Sequence, residues 1–249
     1  MEKINFKNSK GLNLVGNFYS ANSKLGIICL HGFTGDKSEN GRINQVAERL
    51  NKEGFNVLSF DFSGCGESDD DSLTVDKQVD DLKCAINWIK TKNLSSIGIF
   101  GISLGGLVAL KVKDLKIKTM VLWAPVTDKV KYSWDKRYSK ESLEELKEKG
   151  YITYSKNSDI RKKVIIDKQM LKDRESVNQK ELLSNIKLPL LIIHGDSDTV
   201  VPFEDSKNAM KYLSKTSNLE IIPNENHNLL GKLDKIIELT NSWFKKYLF

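Results

Sequence analysis

The stretch Ile97-Gly98-Ile99-Phe100-Gly101-Ile102-Ser103-Leu104-Gly105-Gly106 decides the fold. Its apolar, β-branched first half predicts a buried strand, and residues 107–112 predict a helix. Ser103 stands between them on a sharp strand-to-helix turn, where glycines without a Cβ let the strand and the helix pack closely. The turn also directs the unpaired N–H groups at the helix N-terminus toward the hydroxyl. The stretch therefore predicts a reactive serine at one edge of a sheet.

Length and composition favour one large globular domain. The chain has 249 residues, of which 39% are hydrophobic, and no apolar run approaches the length of a membrane span. Residues 1–8 contain three charged side chains and no apolar run of signal-peptide length, so we expect a cytoplasmic protein. Cys29, Cys65 and Cys84 have neither disulfide nor metal-ligand spacing, which agrees with a reducing compartment and predicts no metal site.

The positive charge is concentrated in one segment. The net charge is +6, and residues 127–187 hold 16 Lys and Arg against 11 Asp and Glu, which is five of the six excess charges. The rest of the chain is nearly neutral, so we expect no nucleic-acid partner. One alternative stays open, in which this basic segment binds an anionic partner and the protein is not an enzyme.

Strand and helix patterns alternate on both sides of the basic segment. Strands are predicted at 3–7, 12–19, 26–30, 55–60, 97–102, 119–123, 188–194 and 219–222, and helices at 43–52, 75–92, 107–113, 203–213 and 229–248. Short connections in such an alternation are typical of an α/β fold with a doubly wound, mostly parallel sheet, here of about eight strands. Residues 1–126 and 188–249 are the predicted core. Residues 127–187 are predicted to be a helical lid or cap insert.

A serine nucleophile needs a general base, and the chain has three histidines. His31 and His194 each end a buried strand and precede a glycine, which favours structural roles. His227 lies in a polar loop between the last strand and the closing helix. This loop is at the carboxyl edge of the sheet, as Ser103 is, and ligands bind at that edge in doubly wound sheets. His227 is therefore the predicted base.

The loop after the seventh predicted strand supplies an acid to orient the base. It reads Gly195-Asp196-Ser197-Asp198-Thr199-Val200-Val201-Pro202 and offers Asp196 and Asp198. With either carboxylate, the order along the chain is Ser, Asp, His, which is the order found with a serine on a strand-to-helix turn of this kind.

These motifs resemble the α/β-hydrolase superfamily over essentially the whole chain outside the insert. The resemblance implies that Ser103 is the nucleophile, His227 the base and Asp198 the acid, because Asp198 is third after Gly195 in the family's Gly-x-x-Asp pattern. It leaves Asp196 as a loop-capping carboxylate.

Two further loops carry the resemblance. His31-Gly32-Phe33 resembles the family's oxyanion loop, so the backbone N–H groups of Phe33 and Leu104 are the predicted oxyanion donors. Residues 61–68 resemble the family's Asp-x-Arg-Gly-x-Gly-x-Ser loop, with serine at position 63 in place of arginine, and Asp61 is expected to be structural. No metal or organic cofactor is implied.

The resulting hypothesis is a serine hydrolase that cleaves small-molecule carboxylic esters through an acyl-enzyme. Its loops are most similar to those of small bacterial cinnamoyl or feruloyl esterases, with monoacylglycerol lipases next. Trp134 and Tyr138 of the insert are candidate substrate contacts. A peptidase or an acyltransferase would need the same triad, so these activities stay open. The sequence also leaves the oligomeric state open, with a dimer among the alternatives.

Overall fold

The computed structural model describes residues 1–249. The strands are β1 (Glu2–Lys7), β2 (Asn13–Tyr19), β3 (Leu25–Leu30), β4 (Asn56–Phe60), β5 (Ser72–Leu73), β6 (Ser96–Ile102), β7 (Ile117–Trp123), β8 (Tyr151–Ser155), β9 (Lys163–Asp167), β10 (Leu190–Gly195) and β11 (Asn218–Ile222). The α-helices are α1 (Arg42–Lys52), α2 (Val75–Lys90), α3 (Leu104–Lys111), α4 (Lys140–Lys149), α5 (Lys168–Glu175), α6 (Gln179–Leu183), α7 (Phe203–Ala209) and α8 (Leu233–Leu248).

Eight of these strands form one sheet in the order β1-β2-β4-β3-β6-β7-β10-β11. Strand β2 runs antiparallel to both of its neighbours, and all pairings from β4 to β11 are parallel. The predicted mostly parallel, eight-stranded sheet is therefore confirmed. Its carboxyl edge holds the loops after β3, β6, β10 and β11, which contain Phe33, Ser103, Asp198 and His227.

The two faces of the sheet bury separate apolar clusters. Alternate residues of β3 show the division, since Ile27 and Cys29 enter one cluster while Ile28 and Leu30 enter the other. Helices α1 and α8 cover the first face, and α2 and α3 cover the second. Covering both faces with helices explains why the central strands are continuously apolar and not alternating.

Three helix boundaries differ from the predicted ones by three residues or more. Helix α3 begins at Leu104, directly after Ser103, because Gly105 and Gly106 can form its first turn beside β3. A Cβ on Gly105 would lie 2.6 Å from the His31 carbonyl oxygen. Helix α8 begins at Leu233, not at residue 229, since Leu229 has a left-handed backbone with φ of 57°. Helix α7 ends at Ala209, before two turns that complete the segment.

The insert is not wholly helical. Strands β8 and β9 form an antiparallel hairpin, and the core strand β5 pairs in parallel with β9 to make a second, three-stranded sheet. The β-branched residues Ile152, Val164 and Ile166 are the buried side chains of this hairpin. Their strand pattern is detectable in the sequence, but it is short and lies among charged residues.

The insert is fastened to the core at several points. Arg161 donates to the Gly66 carbonyl at 3.0 Å, Lys156 donates to the Thr34 carbonyl, and Asp173 accepts from the Val75 N–H at 3.0 Å. Buried side chains of the insert, among them Ile152 and Leu171, belong to the same apolar cluster as α2 and α3. The insert and the core therefore share one hydrophobic interior. No helix of the structure combines the length and apolarity needed to cross a membrane.

Candidate active site

Ser103 occupies a strained turn between β6 and α3. Its φ of 53° and ψ of −114° are unfavourable for a residue with a Cβ, and it is the N-cap of α3. The turn is held by backbone bonds from the Ser103 N–H to the Trp123 carbonyl at 2.9 Å and from the Val126 N–H to the Ser103 carbonyl at 3.1 Å. Strain held in this way keeps the hydroxyl at the carboxyl edge of the sheet.

Two backbone N–H groups near Ser103 are available for an external acceptor. Leu104 is the first residue of α3, so its N–H has no acceptor within the helix. The Phe33 N–H makes no hydrogen bond within the protein, while that of its neighbour Gly32 donates to Glu39 at 2.7 Å. Ser103, Phe33 and Leu104 line the same pocket. The structure thus brings together the two predicted oxyanion donors and the predicted nucleophile.

Asp198 is hydrogen-bonded to His227. Asp198 Oδ2 lies 2.6 Å from His227 Nδ1, and Asp198 Oδ1 accepts the N–H groups of Val200 at 2.7 Å and Val201 at 2.9 Å. Burial alone would raise the pKa of Asp198, but hydrogen bonds from His194, His227 and the Val201 N–H hold it well below its ordinary value. Asp198 is therefore ionised at neutral pH, so His227 Nδ1 carries a proton and Nε2 is left as an acceptor.

Asp196 has a different role in the same loop. It is exposed, and its Oδ1 accepts the Asn224 N–H at 2.8 Å, which joins the loop after β10 to the loop after β11. The structure therefore places Asp198, and not Asp196, against His227.

No hydrogen bond joins Ser103 to His227 in this structure, and Ser103 alone of the three candidate triad residues lines the pocket. In ligand-free hydrolases the bond between nucleophile and base is commonly long, and it tightens when substrate binds. The half-buried His227 lies on a loop that Arg42 ties to the loop after β3.

The ion pair of Arg42 and Glu39 connects the loop of His227 to the loop after β3. Arg42 donates to the Asn228 carbonyl at 2.9 Å and to Glu39 Oε1 at 3.1 Å, and Glu39 Oε2 accepts the Gly32 N–H at 2.7 Å. The pair thus connects the loop of the predicted base to the loop of a predicted oxyanion donor. Sequence reasoning missed it, because Arg42 and Glu39 resemble an ordinary exposed ion pair at a helix N-terminus.

His194 contacts the same carboxylate from the other side. Its Nε2 lies 3.1 Å from Asp198 Oδ2 and 3.0 Å from the Val201 carbonyl, and its Nδ1 lies 2.7 Å from Ser206 Oγ. Because both partners of Nε2 are acceptors, Nε2 carries the proton and Nδ1 accepts from Ser206. The expected structural role of His194 thus includes holding the carboxylate of Asp198.

Replacing His194 by leucine is expected to lower kcat for hydrolysis about tenfold and to leave KM nearly unchanged. Asp198 would lose one of its four hydrogen bonds and orient His227 less well. Steady-state kinetics test this result. Ser206→Ala, which removes the partner of Nδ1 and leaves both contacts of Nε2, is the control and should retain most of the activity. A His194→Leu enzyme that is folded and as active as the unaltered protein would contradict the assignment.

The pocket above Ser103 has a mostly apolar lining with two cations. Ten of its 13 lining residues are hydrophobic, and the insert contributes most of its upper wall. The lining consists of Phe33, Ser103, Leu104, Val126, Tyr132, Trp134, Arg137, Tyr138, Met170, Leu171, Arg174, Val200 and Val201. Both candidate substrate contacts, Trp134 and Tyr138, are therefore in the pocket. Arg137 and Arg174 were not predicted, since nothing in the local sequence distinguishes them from surface cations.

Fold and site together define a class of protein. A mostly parallel sheet of this strand order, with a serine on a strained turn after β6, is that of an α/β hydrolase. Residues 21–178 match the family model described as serine aminopeptidase, S33, and the chain belongs to this family.

Individual relatives agree with that membership. The chain is 27% identical to human Protein ABHD12B over 238 residues, which are 88% of this chain and 60% of the relative. It is 29% identical to human Serine hydrolase BPHL over 200 residues, which are 73% of this chain and 66% of the relative. The chain thus spans less than two thirds of the length of either protein. The solved structure of ferulic acid bound to Est1E from Butyrivibrio proteoclasticus has a TM-score of 0.79 at 22% identity, with 98% of both chains covered.

Proposed function

We propose that this protein is a serine hydrolase that cleaves carboxylic esters through an acyl-enzyme intermediate. The observation that carries the proposal is the 2.6 Å hydrogen bond from His227 to the ionised Asp198, on the sheet edge where Ser103 faces two available N–H groups. These are the parts that acyl transfer by a serine requires: a nucleophile, an oriented base and donors for the oxyanion.

The proposed reaction has two steps. His227 Nε2 accepts the proton of Ser103 Oγ as the oxygen attacks the ester carbonyl, and the N–H groups of Phe33 and Leu104 bind the developing oxyanion. His227 then protonates the leaving alcohol, and the acyl group remains on Ser103. A water molecule activated by His227 releases the acid in the same way. Asp198 keeps its negative charge throughout and stabilises the imidazolium.

The pocket favours esters with a flat or extended apolar group. Trp134, Tyr138, Phe33 and Tyr132 present four aromatic side chains above Ser103. We therefore propose cinnamoyl-type esters as one substrate group within the carboxylic esters, with monoacylglycerols as the alternative. Hydrolysis of methyl ferulate compared with a monoacylglycerol separates these two groups.

An aminopeptidase activity, which the family description mentions, fits this pocket poorly. An aminopeptidase must accept the positively charged N-terminus of its substrate. The pocket presents the guanidinium groups of Arg137 and Arg174 and no carboxylate, so like charges would repel the substrate.

The test is hydrolysis of p-nitrophenyl butyrate followed by stopped flow. We expect a burst of p-nitrophenol equal to the concentration of enzyme, followed by slower turnover, because the acyl-enzyme accumulates with a good leaving group. Alanine p-nitroanilide in a parallel assay measures aminopeptidase activity. Failure to cleave any ester, together with cleavage of the anilide, would replace the esterase proposal with the peptidase alternative.

A further inference from the structure

Arg137 and Arg174 differ from the other arginines of the chain in having no carboxylate partner. The sequence has five arginines. Arg42 pairs with Glu39, Arg49 with Glu53 and Arg161 with Asp70. The remaining two form no salt bridge, and both line the pocket above Ser103.

The contacts of these two arginines leave donors unused. The Arg174 guanidinium donates one hydrogen bond within the protein, to the Asp128 carbonyl at 3.4 Å. Arg137 donates to the Tyr132 hydroxyl at 3.4 Å, and its guanidinium lies 5.4 Å from the centre of the Phe33 ring. A guanidinium has five N–H donors, so each group retains capacity for a planar, two-oxygen acceptor.

The surroundings make an unpaired cation costly there. Arg174 is half-buried beside the buried side chains of Met170 and Leu171. Burial, with a smaller contribution from the nearby charge of Arg137, lowers the pKa of Arg174 to about 10, so it still carries its charge at neutral pH. Asp128 and Asp205 offset this cost only in part, since both pair with Lys131 and neither forms a salt bridge with Arg174. An anion in the pocket would offset this cost.

We infer that the pocket binds esters that carry a free carboxylate, with Arg174 and Arg137 as its binding groups. This inference rests on the proposed esterase function and narrows its substrate class. The carboxylate accepts hydrogen bonds from the two guanidinium groups, the apolar part of the substrate contacts the aromatic wall, and the ester carbonyl lies at Ser103. Binding of this carboxylate then positions the ester carbonyl of the substrate over Ser103.

Two matched pairs of esters test the inference. The first pair varies the acyl part, with the mono-p-nitrophenyl ester of adipic acid against p-nitrophenyl 6-methylheptanoate. The second varies the alcohol part, with 4-carboxyphenyl acetate against 4-isopropylphenyl acetate. In each pair an isopropyl group replaces the carboxylate at nearly equal size. We expect kcat/KM for the anionic ester to exceed that for the neutral ester about tenfold to a hundredfold in at least one pair. The pair that shows this preference also shows whether the acyl part or the alcohol part of the substrate carries the carboxylate.

Variants then assign the preference to the arginines. Arg174→Gln and Arg137→Gln should each reduce the preference, which is the ratio of kcat/KM for the anionic ester to kcat/KM for the neutral ester, about tenfold. Lys147→Gln removes a positive charge from the exposed face of α4, away from the pocket, and should leave the preference unchanged. Should Arg174→Gln fail to fold, adipate should competitively inhibit neutral-ester hydrolysis by the unaltered protein, and absence of this inhibition would overturn the inference.

The two proposals fail in different ways. Neutral esters cleaved as fast as anionic ones by the unaltered protein would overturn the carboxylate inference and leave the esterase intact. A preference that survives both arginine variants would also overturn it. Absence of hydrolysis for all four esters would instead overturn the proposed function.

Discussion

Replacing Ser103 by alanine is expected to reduce kcat for ester hydrolysis by roughly 10⁵- to 10⁶-fold. Without Oγ the acyl-enzyme cannot form. The two N–H donors of Phe33 and Leu104 would still polarise a bound ester, and this accounts for a small remaining rate. Steady-state hydrolysis of p-nitrophenyl butyrate measures the loss.

A second serine variant controls for general damage. Ser197 is exposed and precedes Asp198 in the loop of the acid, but its hydroxyl donates to Asp196 at 3.1 Å and to no residue of the predicted triad. Ser197→Ala should retain nearly full activity. The Ser103→Ala protein should unfold close to the temperature of the unaltered protein, because alanine keeps the Cβ at a φ of 53° and the hydroxyl that it removes caps no N–H of α3. Undiminished turnover by folded Ser103→Ala would exclude Ser103 as the nucleophile.

Replacing Asp198 by asparagine is expected to lower kcat about 10⁴-fold. The reason is the tautomer of His227. Asp198 Oδ2 accepts from His227 Nδ1 at 2.6 Å, and an asparagine amide in that place would donate to Nδ1 instead. The proton of the imidazole would then be on Nε2, which could no longer accept the proton of Ser103.

The same loop provides a matched control for the carboxylate. Asp196→Asn changes an exposed residue two positions away that bonds to the Asn224 N–H and not to His227. We expect this variant to keep kcat within about threefold, since an asparagine side chain can also accept that bond. Equal losses from the two aspartate variants would contradict the assignment of Asp198 as the acid.

The sheet was predictable because its strands are short apolar runs that end at glycines and polar loops. The run from residue 97 to the glycines at 105 and 106 carried most of this information, since a serine between such a strand and helix has few structural alternatives. The predicted ends of the helices were less accurate than the predicted strands. Leu229 continues the apolar periodicity of α8, but its left-handed backbone lies outside the helix, and apolar periodicity does not reveal backbone angles.

The candidate site was predictable as far as it follows from the ends of strands. Parallel strands bring the loops after β3, β6, β10 and β11 to one edge, so residues distant in the chain could be grouped from topology alone. Hydrogen bonds between side chains of different loops could not be predicted from topology. The approach of His194 to Asp198 depends on the rotamer of a buried imidazole, which no spacing along the chain encodes.

The insert shows most clearly which contacts could not be predicted from the sequence. Arg137 and Arg174 are 37 positions apart, and they meet in one pocket because α5 follows the β8–β9 hairpin back over the core. In the sequence they are two of 16 cations in a segment that also has 11 acids, and a solvated surface has the same composition. What distinguishes them is that both line the pocket above Ser103 without a carboxylate partner, and that is a property of the folded structure.

Labelling with a fluorophosphonate tests the central claim most directly. The reagent phosphonylates a serine only where a base removes its proton and N–H donors bind the developing charge, so it reports nucleophile, base and oxyanion site together. Intact-protein mass spectrometry should show a single adduct, and peptide mapping should place it on Ser103. It should be lost in Ser103→Ala and strongly slowed in Asp198→Asn. An unlabelled protein, or an adduct on another residue, would contradict the account.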